Sequence, residues 1–270
     1  MHHKNLSYRS GELSYCVMGA GDPIMLLHGF AEDSTIWNKL IGYLPEHKIF
    51  LIDIPGTGSS TMLPGEEIKI DHYAQAIKAI AEAEDLNSFT LIGHSMGGYI
   101  ALAFAEKYPE LLRSLVLFHS SAFADTRDKI ATRKKSVEFI TNNGSSVFLK
   151  TTIPSLFSEK YKEQHADVID DLIKRSEQFT PEVLIQYYQA MINKPDRTAV
   201  LKTFNKPVLF IMGEKDNAVP LEASLKQCHL PIVSHVHILP EAAHMGMLEA
   251  TEECASFVSS FLSYPSTPKM

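Results

Sequence analysis

Cysteine is scarce in this sequence: Cys16, Cys228 and Cys254 are its only three, odd in number, far apart and without CxxC spacing. That excludes a disulfide-built scaffold and any thiolate metal or redox centre. The three read as small core residues of a chain kept in a reducing compartment, so the cytoplasm is the expected location. Long apolar runs are missing too. Nothing approaches the ~20 residues a membrane helix needs, and Met1 to Ser10 lacks the apolar centre of a signal peptide, so no membrane span is expected. Basic charge is in deficit, with 25 Lys and Arg against 32 Asp and Glu and a formal net charge of -7. The one basic cluster, Arg133 to Lys135, is short and reads as a solvated helix face, which argues against a nucleic-acid partner. Internal repeats and low-complexity tracts are also lacking.

What is present is an ordinary globular composition, 45% hydrophobic and 21% charged over 270 residues. That length suits one core carrying a large insertion better than two equal domains. Five short apolar runs, Ile24 to Leu27, Ile49 to Ile52, Phe89 to Ile92, Leu115 to Phe118 and Val208 to Met212, have the look of strands buried on both faces. Helical patterns lie between them, notably Asp71 to Glu84 and Tyr99 to Tyr108, and the alternation predicts a parallel α/β sheet covered on both sides. Leu6 to Arg9 and Glu12 to Val17, joined at Ser10-Gly11, predict an antiparallel hairpin at the sheet edge. From residue 120 to residue 205 the rhythm changes to amphipathic stretches at Asp128 to Thr141, Glu159 to Phe179 and Pro181 to Asn193. These predict a helical cap inserted into a core made of 1–119 and 206–270. A strand at His235 to Leu239 and a helix from Leu248 to Leu262 close the chain.

The chemistry centres on Gly93-His94-Ser95-Met96-Gly97, a GxSxG pattern lying directly between a strand run and a helix. In such a turn the residues two before and two after the serine crowd each other, so glycine suits both while the serine hydroxyl projects from the sheet edge. That hydroxyl is a poor nucleophile at neutral pH and needs a base, itself oriented by a carboxylate. His244, in the loop after the last strand, and Asp216, four residues past Met212, supply candidates in the order Ser, Asp, His. Asp125 is the rival acid, seven residues past Phe118 where the chain should be climbing into the cap. An oxyanion requires N–H donors, which the backbones of Met96 and Phe30 can provide, Phe30 following His28-Gly29 in the turn after Leu27. His28 reads as structural, Trp37 as packing, and His235 with His237 as a strand face and no metal pair.

Together His28-Gly29-Phe30, Asp53 to Ser59, Gly93 to Gly98, Gly213 to Asp216 and His244 resemble the α/β-hydrolase superfamily, over nearly the whole chain outside the insert. The resemblance implies a mostly parallel eight-stranded sheet with a lid after strand six, and a serine esterase with no cofactor and no metal. Thr57 departs from the His, Tyr or Phe often found there, a change confined to loop packing or specificity. Ser95 in place of an aspartate disfavours epoxide opening and halide displacement. The expected substrate is a small or medium-sized carboxylic ester, with Phe139, Phe148, Leu156, Phe157 and Tyr187 of the cap as pocket candidates. Hydrolysis of a carbon–carbon bond in a diketone-type substrate is the alternative activity, favoured if cap arginines face Ser95. A hydrolase-like ligand receptor is the alternative of another class.

Overall fold

Apolar runs bounded by turn residues become the inner strands of one sheet because they can be covered on both faces, while the edge strands stay largely exposed or half-buried. The computed structural model describes residues 1–264. Its strands are β1 (His2–Tyr8), β2 (Gly11–Met18), β3 (Asp22–Leu27), β4 (His47–Ile52), β5 (Phe89–His94), β6 (Leu112–Phe118), β7 (Val208–Gly213) and β8 (Ser234–Leu239). They form an eight-stranded sheet in the order β1-β2-β4-β3-β5-β6-β7-β8. The β1–β2 hairpin is antiparallel, β2 pairs antiparallel with β4, and every pair from β3 onward is parallel. All six residues of β5 and of β7 are buried, whereas β8 at the far edge alternates exposed and half-buried positions. Cys16 and Cys254 are buried in the core, and Cys228 is only half-buried. Among the described residues no helix is long and apolar enough to cross a membrane.

Between β6 and β7 the chain is helical, but more finely divided than its periodicity suggests. Arg127–Asn143 and Pro181–Ile192 lie where amphipathic stretches predict them. The stretch from Glu159 to Phe179 breaks at His165 (φ -137°, ψ 44°) into the helices Glu159–Gln164 and Ala166–Ser176. A further helix, Ser145–Thr152, follows Gly144, whose φ of +83° turns the chain where the sequence suggests only a helix end. The closing helix likewise breaks at Ala250 (φ -142°, ψ 52°), leaving Gly246–Glu249 and Thr251–Leu262.

This helical segment is fastened to the helices and loops that flank the sheet by polar contacts. The Arg197 side chain, 4% exposed, pairs with Asp71 at 2.7 Å and Glu106 at 3.0 Å, and the Arg197 backbone N–H donates to Ala122 O at 2.7 Å. Tyr187 donates its hydroxyl to Pro55 O at 2.8 Å, and Gln186 bridges Tyr73 and Leu63 O. The Arg197 guanidinium is buried while Asp71 and Glu106 are 25% and 47% exposed, so desolvation falls mainly on the cation, which these carboxylates hold in place.

The Met96–Lys107 helix meets the sheet at its glycine end. A Cβ on Gly97 would sit 2.5 Å from Leu27 O and 2.6 Å from His28 O, both backbone atoms. Gly97→Ala should therefore lower the unfolding free energy by about 1–3 kcal/mol, the usual cost of overpacking. Urea denaturation checks this, and an unchanged midpoint would mean the helix moves off β3 without penalty.

Candidate active site

The turn that carries Ser95 is set by what its neighbours lack. A Cβ on Gly93 would lie 2.4 Å from Gly97 O, and one on Gly98 would collide with Ser120. With β5 and the following helix so close, the single residue that reverses direction between them takes φ +49° and ψ -112°. A non-glycine residue held there stores about 1–3 kcal/mol. The turn is pinned by Ser95 N–H to Phe118 O at 2.9 Å and by Ser120 Oγ donating to Ser95 O at 2.8 Å. Ser95 is half-buried and opens onto a cavity of about 510 Å³ whose wall also includes Phe30, Leu156, Tyr188 and His244.

Asp216, just beyond β7, receives the Nδ1–H of His244 at 2.8 Å. This assigns the lone pair to Nε2 on a ring that lines the same cavity as Ser95. The carboxylate is fully engaged, since Oδ2 also accepts from His119 Nδ1 at 3.1 Å and Oδ1 from the N–H groups of Ala218 and Val219, each at 2.8 Å. Burial alone would raise the Asp216 carboxyl, but His244, His119 and these donors together hold it well below the usual carboxylate range. His119 goes the other way, because full burial, with His244 and His94 nearby, outweighs its bond to Asp216 and lowers it to about 4. It is a neutral donor. His119, Asp216 and His244 offer ligand atoms within 4.8 Å of one another. Their contacts of 2.8 and 3.1 Å are those of two N–H donors sharing one carboxylate, which accounts for the cluster as hydrogen bonding.

The His244 loop is held from four sides. Its own N–H reaches Leu156 O at 2.9 Å, its carbonyl accepts from His94 Nε2 at 3.0 Å, and the flanking N–H groups of Ala243 and Met245 both donate to Glu249 Oε1. Glu249 Oε2 takes Ser158 N–H at 2.9 Å, tying this loop to the helical segment. Below it lies a buried ion pair, Glu32 Oε2 to His94 Nδ1 at 3.0 Å, and the same carboxylate oxygen accepts Gly29 N–H at 2.7 Å. Burial opposes charge on both partners, yet each holds the other ionised: His94 is raised and Glu32 lowered from their ordinary values. Glu32, His119 and Glu249 belong to no motif, and His94 is a variable position of Gly93-His94-Ser95-Met96-Gly97. Glu32, His94 and Glu249 lie close in sequence to Gly29, Ser95 and His244, whereas His119 has no signal beyond following β6.

Met96 is the first residue of its helix, where N–H groups lack intrahelical acceptors. Phe30 follows Gly29 on the turn after β3 and lines the cavity. His28 is fully buried, donating from Nδ1 to Gly29 O and accepting Ile54 N–H at Nε2, beside the Thr57 hydroxyl. It clamps two loops, and Thr57 belongs to that packing. Trp37 is fully buried against Phe118. His237 stacks on Phe257, and His235 packs against Phe261.

Three expectations need correction. Of the five cap candidates only Leu156 lines the cavity. Phe139 is 40% exposed, Phe148 packs on Tyr188, Phe157 stacks on Tyr161, and Tyr187 is buried against the Pro55 loop, so its neighbour Tyr188 faces the cavity instead. Helical rotation separates adjacent residues by about 100°, which aromatic content alone does not reveal. Arg133 is no solvated residue but turns inward to Asp125 at 2.6 Å. Asp125 in turn is well fixed, its side chain 2% exposed between Arg133 and Lys194, and it is committed to those two cations.

Chains of known activity share this layout. The structure of a thermophilic esterase from Thermogutta terrifontis, solved with malate bound, superposes with a TM-score of 0.90 at 26% identity, covering 99% of this chain and 100% of that one. Lipase 3 of a Moraxella strain is 25% identical over 89% of this chain and 77% of its own length. The 2-hydroxy-6-oxo-2,4-heptadienoate hydrolase of Pseudomonas putida is 23% identical over 91% of this chain and 90% of its own length. Residues 22–251 match the profile of the alpha/beta hydrolase fold, a span that opens with β3 and takes in Ser95, Asp216 and His244, and the chain belongs to that family.

Proposed function

We propose that this hydrolase cleaves a carboxylic ester of small or medium size through an acyl-enzyme on Ser95. The observation that carries the reading is the 2.8 Å Asp216–His244 pair set on the same cavity as the left-handed Ser95. His244 Nε2 takes the serine proton as the hydroxyl attacks the ester carbonyl, and Asp216 keeps the imidazole in the tautomer that can accept it. The backbone N–H groups of Phe30 and Met96 stabilise the oxyanion, aided by the positive end of the Met96–Lys107 helix. Alcohol leaves with the proton returned by His244, and a water activated by the same ring releases the acid. Residues 120–205 act as a cap, since the Arg127–Asn143 and Pro181–Ile192 helices supply Arg133 and Tyr188 to the cavity wall. The unpaired cysteines support a reducing, cytoplasmic setting.

Carbon–carbon bond hydrolysis is the second reading, and Arg133 on the cavity wall favours it. Turnover of a vinylogous diketone in parallel with p-nitrophenyl esters separates the two.

Ser95→Ala should abolish ester turnover while leaving the melting temperature near that of the wild type, and a fluorophosphonate should label the wild type at Ser95 alone by mass spectrometry. Residual activity above about a tenth of wild type would remove Ser95 from the reaction. Asp216→Asn should cost about 10⁴ in kcat, the size seen when a triad histidine loses its tautomer-setting carboxylate. Asp125→Asn should act mainly on stability, by about 3–5 kcal/mol, because it strands two buried cations. The reverse ranking would make Asp125 the acid.

As the pH is lowered toward about 5, kcat/KM should fall along a limb that takes up a single proton. Asp216 stays ionised far below this range, and His119 stays neutral down to about 4, so neither adds a second proton. A limb of slope two on a logarithmic plot would contradict this assignment.

A further inference from the structure

The Arg127–Asn143 helix turns a polar face to the cavity above Ser95: Lys129, Thr132, Arg133 and Ser136 recur at the three-and-four spacing of one helix side. A pocket that selected only alkyl chains would carry apolar residues there. The charges on this face are not balanced. Lys129 Nζ donates to Ala218 O at 3.0 Å and forms no salt bridge among the described residues, although the residue is half-buried. Arg133 pairs with Asp125 at 2.6 Å, but Asp125 also faces Lys194 at 3.1 Å, so one carboxylate answers two cations. Among the described residues the carboxylate on the cavity wall itself is Glu32, already neutralised by His94 at 3.0 Å. Asp216, close enough to favour the charged form of Lys129, is committed to His244 and His119 and to two backbone N–H groups. A chain of net charge -7 thus keeps a surplus of positive charge inside its reaction cavity.

We propose that this surplus is a carboxylate subsite, and that the substrate is an ester bearing a second, free carboxylate, as in the monoester of a short dicarboxylic acid. The proposal rests on the hydrolase reading of the Ser95 site. A half-buried ammonium whose partner among the described residues is a carbonyl loses part of its hydration without gaining a counter-ion, and a substrate carboxylate beside it makes good that loss through charge-assisted hydrogen bonds. Burial and the nearby Arg133 push the Lys129 ammonium down from its ordinary value, as expected of a cation waiting for an anion. Arg133 is held in place by Asp125 at Nε and packs against Met191 and the Tyr188 ring, which fixes where the anion would be met. The hydroxyls of Thr132, Ser136, Thr152 and Ser155 keep the same wall polar, each donating to a backbone carbonyl of the preceding turn.

The test compares kcat/KM for mono-p-nitrophenyl glutarate and p-nitrophenyl butyrate, with glutarate binding followed separately by thermal shift. The wild type should favour the anionic ester, and Lys129→Gln should cut the ratio of anionic to neutral kcat/KM by about ten- to hundredfold, chiefly through KM, as for the loss of a hydrogen bond to a charged group. Lys129→Glu should reverse the preference. A wild-type preference for the neutral ester, or a ratio that Lys129→Gln leaves unchanged, would overturn the proposal while leaving the esterase reading intact. Should neither ester turn over, the esterase reading fails and the binding arm decides the subsite. Glutarate that stabilises the wild type but not Lys129→Gln supports it, and equal shifts or none in the two proteins refute it.

Discussion

Everything at the Ser95 turn depends on how closely the backbone of the Met96–Lys107 helix approaches the ends of β3 and β5. Gly93 and Gly97 leave no room for a methyl group against neighbouring carbonyls. That approach leaves one residue to reverse the chain and obliges Ser95 to adopt a positive φ. The same approach sets the first N–H groups of the helix beside the turn after β3, where Gly29 and Phe30 lie. Strain at one residue and space at two others are thus parts of one constraint, and the packing of a buried helix on a buried sheet sustains both.

Around this turn, carboxylates act as fasteners between loops distant in sequence. Glu32 ties the Gly29 turn to His94, His94 reaches the carbonyl of His244, Asp216 grips the His244 ring, and Glu249 holds the N–H groups on either side of it. Each buried negative charge meets a histidine or backbone donors, which is what makes its burial tolerable. The outcome is a His244 imidazole whose position is fixed by its neighbours. His119 illustrates how environment divides roles among like residues: it and His244 touch the same carboxylate oxygen, yet His119 is fully buried and stays neutral while His244 faces the cavity.

The helical segment obeys the same logic at a larger scale. Arg197, Tyr187 and Gln186 anchor it through buried polar contacts, leaving the Arg127–Asn143 helix to present Lys129 and Arg133 over the cavity. Its attachment to the sheet and the character of the pocket are therefore carried by different residues.

By itself the sequence determined the α/β architecture, the strand runs from Ile24 to Met212, and the setting of Ser95, Asp216 and His244 at strand ends. These follow from local causes: apolar runs of strand length, glycines where a turn is tight, and chain order. Only the tertiary structure decided that Asp216, and not Asp125, meets His244, since both are carboxylates just beyond a strand and the difference lies in which cations each one finds. It also decided that Tyr188 and not Tyr187 faces the cavity, that Arg133 turns inward, and that Glu32, His94, His119 and Glu249 support the centre. Those contacts join residues as far apart as His94 and His244. A buried charge is placed by whichever partner lies across the fold, and no local pattern in the chain encodes that partner.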